Sequence, residues 1–204
     1  MDAVLLTTEY FGPMSSYWHI GRAARAYVET HENYQKKSYR NRCKILSPNG
    51  TQLLSVPLTA GKNNRCPISE VGISYAHDWI DEHSQALLSS YSKAPYYEYY
   101  MPDIEAIWNK KIDRLLDLNT QLQTYVMSRL SIDTQVSPTT GYTKKDEVSA
   151  GMLDLRQQSY TSRTLPTDMQ LQYTQVWYDR FDFEADLSIL DLLFCKGPEA
   201  GYYL

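Results

Sequence analysis

The first thirty residues constrain the fold more than any other stretch. Ala3-Val-Leu-Leu-Thr-Thr8 is an apolar run of strand length, the pattern of a strand buried on both faces when central. Gly12-Pro13 breaks it. Tyr17, Ile20, Ala24 and Tyr27 then recur at helical spacing, with Ser15 or Ser16 placed to cap that helix. Ala26–Thr30 (AYVET) reads as a second strand. Strand, helix and strand in so short a span predict a right-handed crossover and a parallel pair.

Two further strand-like runs, Cys43–Ser47 and Thr51–Leu58, flank Pro48-Asn49-Gly50, and Asn-Gly is a strong hairpin signal. Pro57 confines the end of the second run to an edge or an exit. The stretch 61–67 reads as a flexible loop and SEVGIS (Ser69–Ser74) as one more strand. From Asp78 the pattern turns helical: Trp79, His83, Ala86, Leu87 and Tyr91 share a face. Ala94-Pro95 ends that helix, and Met101-Pro102-Asp103 opens another. Apolar residues from Trp108 to Leu130 predict one long amphipathic helix. Ser131–Pro166, poor in apolar residues, predicts a mobile connection of the kind that closes over a site. The stretch 168–197 predicts one or two helices, QLQYTQVWYDRF and LSILDLLFCKG, the second capped by Ser188 and ended by Gly197-Pro198.

The expected class is therefore mixed α/β. A small mixed sheet from the N-terminal half is covered by helices from the C-terminal half, whose apolar faces need the sheet as partner. One domain is expected over 1–204, strand-rich to residue 76, helix-rich from 77, with the mobile segment at about 131–166. The chain's 204 residues and 43 % apolar content suffice for one core. A formal net charge of −4 argues against a nucleic-acid partner. Three cysteines, an odd number without CxxC spacing, speak against a disulfide framework and for a reducing compartment. MDAVLLTTEYFGP carries no basic region before its brief apolar run, so it does not read as a signal peptide. No apolar stretch reaches the length that spans a bilayer, and a cytoplasmic location is expected.

No GxSxG, GxGxxG, Walker loop or HExxH occurs. His77 and His83 are six apart and do not share a helical face, so no metal is expected. His83 shares a face with Trp79 and Leu87 and should point inward. A buried imidazole there suits proton transfer, and it equally suits a hydrogen-bonded core position. The run HENYQKKSYRNR (His31–Arg42) follows a strand, where ligands of α/β proteins bind. Arg40 and Arg42, with Lys36 and Lys37, match phosphate or carboxylate oxygens. Asn33, Gln35 and Asn41 suit hydroxyls and carbonyls, and Tyr34 and Tyr39 suit a sugar or base face. An anionic, hydroxyl-rich ligand such as a nucleotide sugar fits this set; a solvated charge run is the alternative. The excess of 18 Tyr over 4 Phe fits either a site for polar, ring-shaped ligands or a half-buried core.

Several motifs fall in an order that covers nearly the whole chain. They are YFGPMSSYW, HENYQKKSYRNRCKIL followed by Asn49-Gly50, LSVPL, ISEVGIS, DWIDEH, YSKAPYYEYY and LSILDLLFCKGPEA. In this set the chain resembles the WbqC-like protein family, and HENYQKK is similar to the branch seen in Bacteroidetes-type bacteria. Other branches tend to show an Asp-rich version there, which Glu29 and Glu32 match only approximately. The resemblance implies bacterial surface-glycan (O-antigen or capsule-type) biosynthesis. It points to acyl or aminoacyl transfer onto a nucleotide-linked amino sugar, from a donor such as an acyl-thioester. In that reading His83 or His31 is the general base, and Glu32 orients His31 or polarises the acceptor. Arg40 and Arg42 hold phosphate or carboxylate groups, Asn41 and Gln35 orient hydroxyls, and Tyr34 and Trp79 contact the ligand. The alternative is a non-catalytic ligand-binding or protein-interaction module of the same pathway, using Tyr96, Tyr97, Tyr99 and Tyr100.

Overall fold

β1 (Ala3–Thr7), α1 (Met14–Arg22) and β2 (Arg25–Glu29) form the predicted strand–helix–strand unit. The strands pair in parallel, Ala3 opposite Arg25 and Thr7 opposite Glu29. This is a computed structural model that describes residues 2–59, 66–156, 165–166, 169 and 172–204. All five residues of β1 are buried, as a central strand requires. The hairpin also forms as its turn chemistry predicts. β3 (Arg42–Ser47) and β4 (Gly50–Ser55) pair antiparallel, and Gly50 closes the turn at a φ of +101°, which glycine adopts without a Cβ clash.

Two further strands come from the stretch expected to be a mobile connection. β5 (Val136–Pro138) pairs with β2 and β6 (Met152–Asp154) with β1, both in parallel, giving the order β5-β2-β1-β6. Each has three residues, too few for a period to show in sequence, and the main chain of β1 and β2 supplies the template. The remaining part of that expected connection, 157–164, lies outside the described residues, as do residues 61–65 of the expected loop. The sheet is thus wholly parallel, and its carboxyl ends lie on one side.

The helices are α2 (Trp79–Tyr91), α3 (Tyr97–Trp108), α4 (Leu115–Leu130) and α5 (Ile189–Lys196). Asp78 caps α2 by accepting from the Asp81 amide at 3.2 Å, and Ser188 caps α5 from the Leu190 amide at 3.3 Å. The single helix expected over 108–130 is two. Lys111 turns left-handed after α3, and the backbone of Asp113 and Arg114 is taken by Ile73 and Gly72. SEVGIS is correspondingly no strand: Pro67 leads a 3-10 turn at Ile68–Glu70, and only isolated bridges follow. α3 begins before Pro102 rather than at it. The carbonyl that Pro102 leaves unpaired belongs to Glu98, which is exposed to water. Nor is 172–181 helical. Tyr173 and Gln175 are buried alternately along 172–175, and 176–180 is a turn in which the Arg180 amide donates to the carbonyl of buried Trp177 at 2.9 Å. Gln175 clamps that chain, with its Nε2 donating to the Glu184 carbonyl at 2.9 Å and to Asp191 Oδ2 at 3.1 Å.

The buried apolar side chains form a cluster running from Val4 and Leu6 of β1 through α2, α3 and α4 to α5. Gly197 ends α5 at a φ of +54°, and a Cβ on it would enter the ring of Tyr96. Gly197→Ala is expected to lose roughly 1–3 kcal/mol through overpacking and a left-handed alanine. Urea denaturation checks this: the midpoint falls while the m-value holds. Among the described residues no helix is long and apolar enough to cross a membrane.

Candidate functional site

A cavity of about 490 Å³ opens at the carboxyl ends of the parallel strands. The segment after β2 supplies His31, Glu32, Asn33, Tyr34 and Gln35, the segment after β5 supplies Tyr142, and the segment after β6 supplies Arg156. Strand ends of a parallel sheet carry unpaired backbone and outgoing loops, which is why such sheets bind ligands there.

Glu29, the last residue of β2, lies beneath this cavity with no solvent exposure. Its Oε1 accepts from the His31 amide and from Thr139 Oγ1, both at 2.9 Å. Its Oε2 accepts from the Thr143 amide at 2.9 Å and from Arg156 Nη1 at 3.2 Å. The three outgoing segments are therefore fastened to one carboxylate. Arg156 also donates from Nε and Nη2 to Asp154 at 2.9 and 2.7 Å, and from Nη1 to the Thr143 carbonyl at 2.6 Å. Burial pushes the Asp154 carboxyl up, but the hydrogen bonds from Arg156 outweigh it and hold the group below its usual range.

The run after β2 alternates. His31, Asn33 and Gln35 are exposed at the cavity, while Glu32 and Tyr34 turn inward. His31 Nε2–H donates to the Thr139 carbonyl at 3.0 Å. A carbonyl only accepts, so Nε2 carries the proton in the neutral ring and Nδ1 holds the lone pair. Glu32 receives Arg40 in a bidentate pair, Nε to Oε1 at 2.9 Å and Nη2 to Oε2 at 2.6 Å, both side chains almost fully buried. Tyr34 donates its hydroxyl to Asn41 Oδ1 at 2.9 Å, and Asn41 Nδ2 donates to the Val56 carbonyl at 2.8 Å. Burial raises the Tyr34 hydroxyl, and Arg42 and Arg40 partly offset that rise. Glu32, Tyr34, Arg40 and Asn41 of this run thus brace its loop from within, while Lys36 and Lys37 stay exposed. Asn119 of α4 adds to this bracing by donating to the Arg40 carbonyl at 2.8 Å.

His83 sits elsewhere. It is buried among Tyr10, Trp79 and Trp108, and its Nδ1 shares a hydrogen bond of 2.9 Å with the Tyr10 hydroxyl. Burial lowers its pKa from 6.5 to about 4, so the ring is neutral at neutral pH. Trp79 is equally enclosed. Neither residue lines the cavity, and neither do Arg40, Asn41 and Arg42. Arg42 opens β3 half-buried, with its Nε lacking a hydrogen-bond partner among the described residues. Of the candidate residues, the structure brings together His31, Glu32, Tyr34 and Gln35. Sequence reasoning missed Tyr142 and Arg156, which sit beyond three-residue strands, and the four-bond environment of Glu29. Among the described residues no group of three His, Cys, Asp or Glu could hold a metal ion.

Residues 9–166 match the model of the WbqC-like protein family, more than half of the chain and all of the cavity lining. The chain belongs to the WbqC-like protein family. This WbqC-like chain is also similar to the uncharacterized protein Rv1507c of Mycobacterium tuberculosis (strain ATCC 25618 / H37Rv). The two are 28 % identical over 193 residues, which cover 84 % of this chain and 83 % of that one. No solved structure matches the chain.

Proposed function

We propose that this WbqC-like protein is a cytoplasmic enzyme of bacterial surface-glycan biosynthesis that transfers an acyl or aminoacyl group onto a nucleotide-linked amino sugar. The observation that carries the reading is His31 at the cavity mouth, its Nε2–H committed to Thr139 and its Nδ1 left as the basic atom. A base of this kind is what an amine or hydroxyl acceptor needs. Asn33 and Gln35 beside it suit the hydroxyls and carbonyl of a sugar. The exposed Lys36 and Lys37 that follow Gln35 suit the diphosphate of a nucleotide, a role the inward-paired Arg40 is not free to take.

With a thioester donor the step balances simply. The acceptor nitrogen attacks the thioester carbonyl carbon, and a C–N bond forms as the C–S bond breaks. The proton leaving the amine passes to His31 Nδ1 and then to the departing thiolate. Glu32 braces the His31 segment from within rather than meeting the acceptor, because Arg40 holds both its oxygens.

The test is a panel of nucleotide amino sugars, with and without acyl-thioesters, read by thermal shift and by mass change of the sugar. A true ligand at about a hundred times its Kd raises Tm by roughly 5–10 °C. His31→Ala is expected to cut turnover about 10²–10⁴-fold while leaving that shift in place. A Tm rise with no turnover for any pair would make the protein a binding module of the pathway instead. No rise across the panel would end the proposal.

A further inference from the structure

We infer that Glu29 is the positioning residue of the His31 site, a role whose purpose rests on the transfer reading above. The carboxylate holds His31 in two ways. Its Oε1 accepts the His31 amide directly, and the same oxygen accepts the Thr139 hydroxyl. Thr139 is also the residue whose carbonyl takes the His31 ring proton. One buried group therefore holds the backbone of the base and, together with the Thr139 N–H bond to the Val28 carbonyl at 2.9 Å and the Thr30 amide on the Thr139 hydroxyl at 3.3 Å, the residue whose carbonyl selects its tautomer. The hydrogen bond made by one ring nitrogen sets which nitrogen is basic, and the groups that hold its acceptor set where the ring lies.

The geometry also says what Glu29 does not do. Four donors converge on its two oxygens: the His31 amide, the Thr139 hydroxyl, the Thr143 amide and Arg156 Nη1. A carboxylate offers about four acceptor sites, so none is left for a ligand. The side chain has no exposed surface either. Glu29 touches no substrate and acts only through His31 and the segment after β5. The carboxylate form is essential, because every partner is a donor. In Glu29→Gln the positive charge of Arg156 draws the amide oxygen to its side. The amide nitrogen then faces the His31 N–H and the Thr139 hydroxyl, so the His31 N–H loses its acceptor.

The test reads the ring itself. With uniformly ¹⁵N-labelled protein at alkaline pH, the two ring-nitrogen shifts of His31 are assigned by their loss in His31→Ala. In the wild-type protein the shifts are expected to lie far apart, the mark of one tautomer. In Glu29→Gln they are expected to draw together as the tautomers interconvert, while the amide signals of Leu5 and Val28 in the sheet keep their positions. Thr139→Val removes the hydroxyl link but keeps the carbonyl, and it is expected to give the same convergence. A folded Glu29→Gln protein with the wild-type separation overturns the inference. Should Glu29→Gln not fold, Thr139→Val decides alone, and an unchanged separation there overturns it. Because no substrate enters this measurement, failure of the transfer reading leaves its result standing and is recognised separately, by the missing turnover.

Discussion

Acidifying the protein from neutral pH to about 4 is expected to remove roughly 3 kcal/mol of stability through His83. The ring is enclosed by Tyr10, Trp79 and Trp108, and burial lowers its pKa from 6.5 to about 4. An unfolded chain takes up the proton near the ordinary value; the folded chain resists until about 4. Between those limits the unfolded state binds more protons, so stability falls as pH falls. Above the window the contribution is complete, and below it both states are protonated and no further loss accrues. Urea denaturation across this range, on the wild type and on His83→Gln, isolates the effect from that of the carboxylates. The wild type should lose about 3 kcal/mol more than the variant over the window. Parallel profiles would mean that His83 is not held neutral by its surroundings.

The second large effect concerns Arg40. Its pair with Glu32 is almost fully excluded from water, and both guanidinium bonds to the carboxylate are short. Removing one partner strands a charge where it cannot be solvated, at a cost of about 3–5 kcal/mol. Arg40→Ala should therefore lower the urea midpoint by a large fraction of the protein's total stability. Replacing both residues with apolar side chains of similar volume, Glu32→Leu with Arg40→Met, should restore most of that loss, since burying two charges is itself expensive. A double variant as unstable as Arg40→Ala would show that the loss comes from shape rather than from the stranded carboxylate.

These two residues show how a sequence pattern misleads about function. A histidine on the apolar face of α2 and arginines in a charged loop have the composition of a ligand site. In the folded chain His83 belongs to an aromatic cluster and Arg40 to an internal ion pair. The alternation within His31–Gln35 separates the two kinds of residue: odd positions are exposed at the cavity, even positions are buried and brace the loop. Period-two alternation is visible in a sequence only when apolar and polar residues mark the two faces. Here Glu32 is polar and nevertheless inside, because its charge is matched by a residue eight positions away.

What local physics determines was already present in the order of the amino acids. The strand–helix–strand start, the Asn-Gly hairpin, the Ser188 cap and the stop at Gly197 depend on neighbours a few residues away, and these formed, although α1 is entered at Pro13 rather than capped by Ser15 or Ser16. Membership of the WbqC-like family was likewise legible in the ordered motifs. Only the tertiary structure decided that β5 and β6 exist, that the helix over 108–130 breaks, and that Tyr142 and Arg156 join His31 at one cavity. The reason lies in distance along the chain. A three-residue strand and a carboxylate with four donors gain their stability from partners more than a hundred residues away, such as Arg156 for Glu29, and no local periodicity records such a debt.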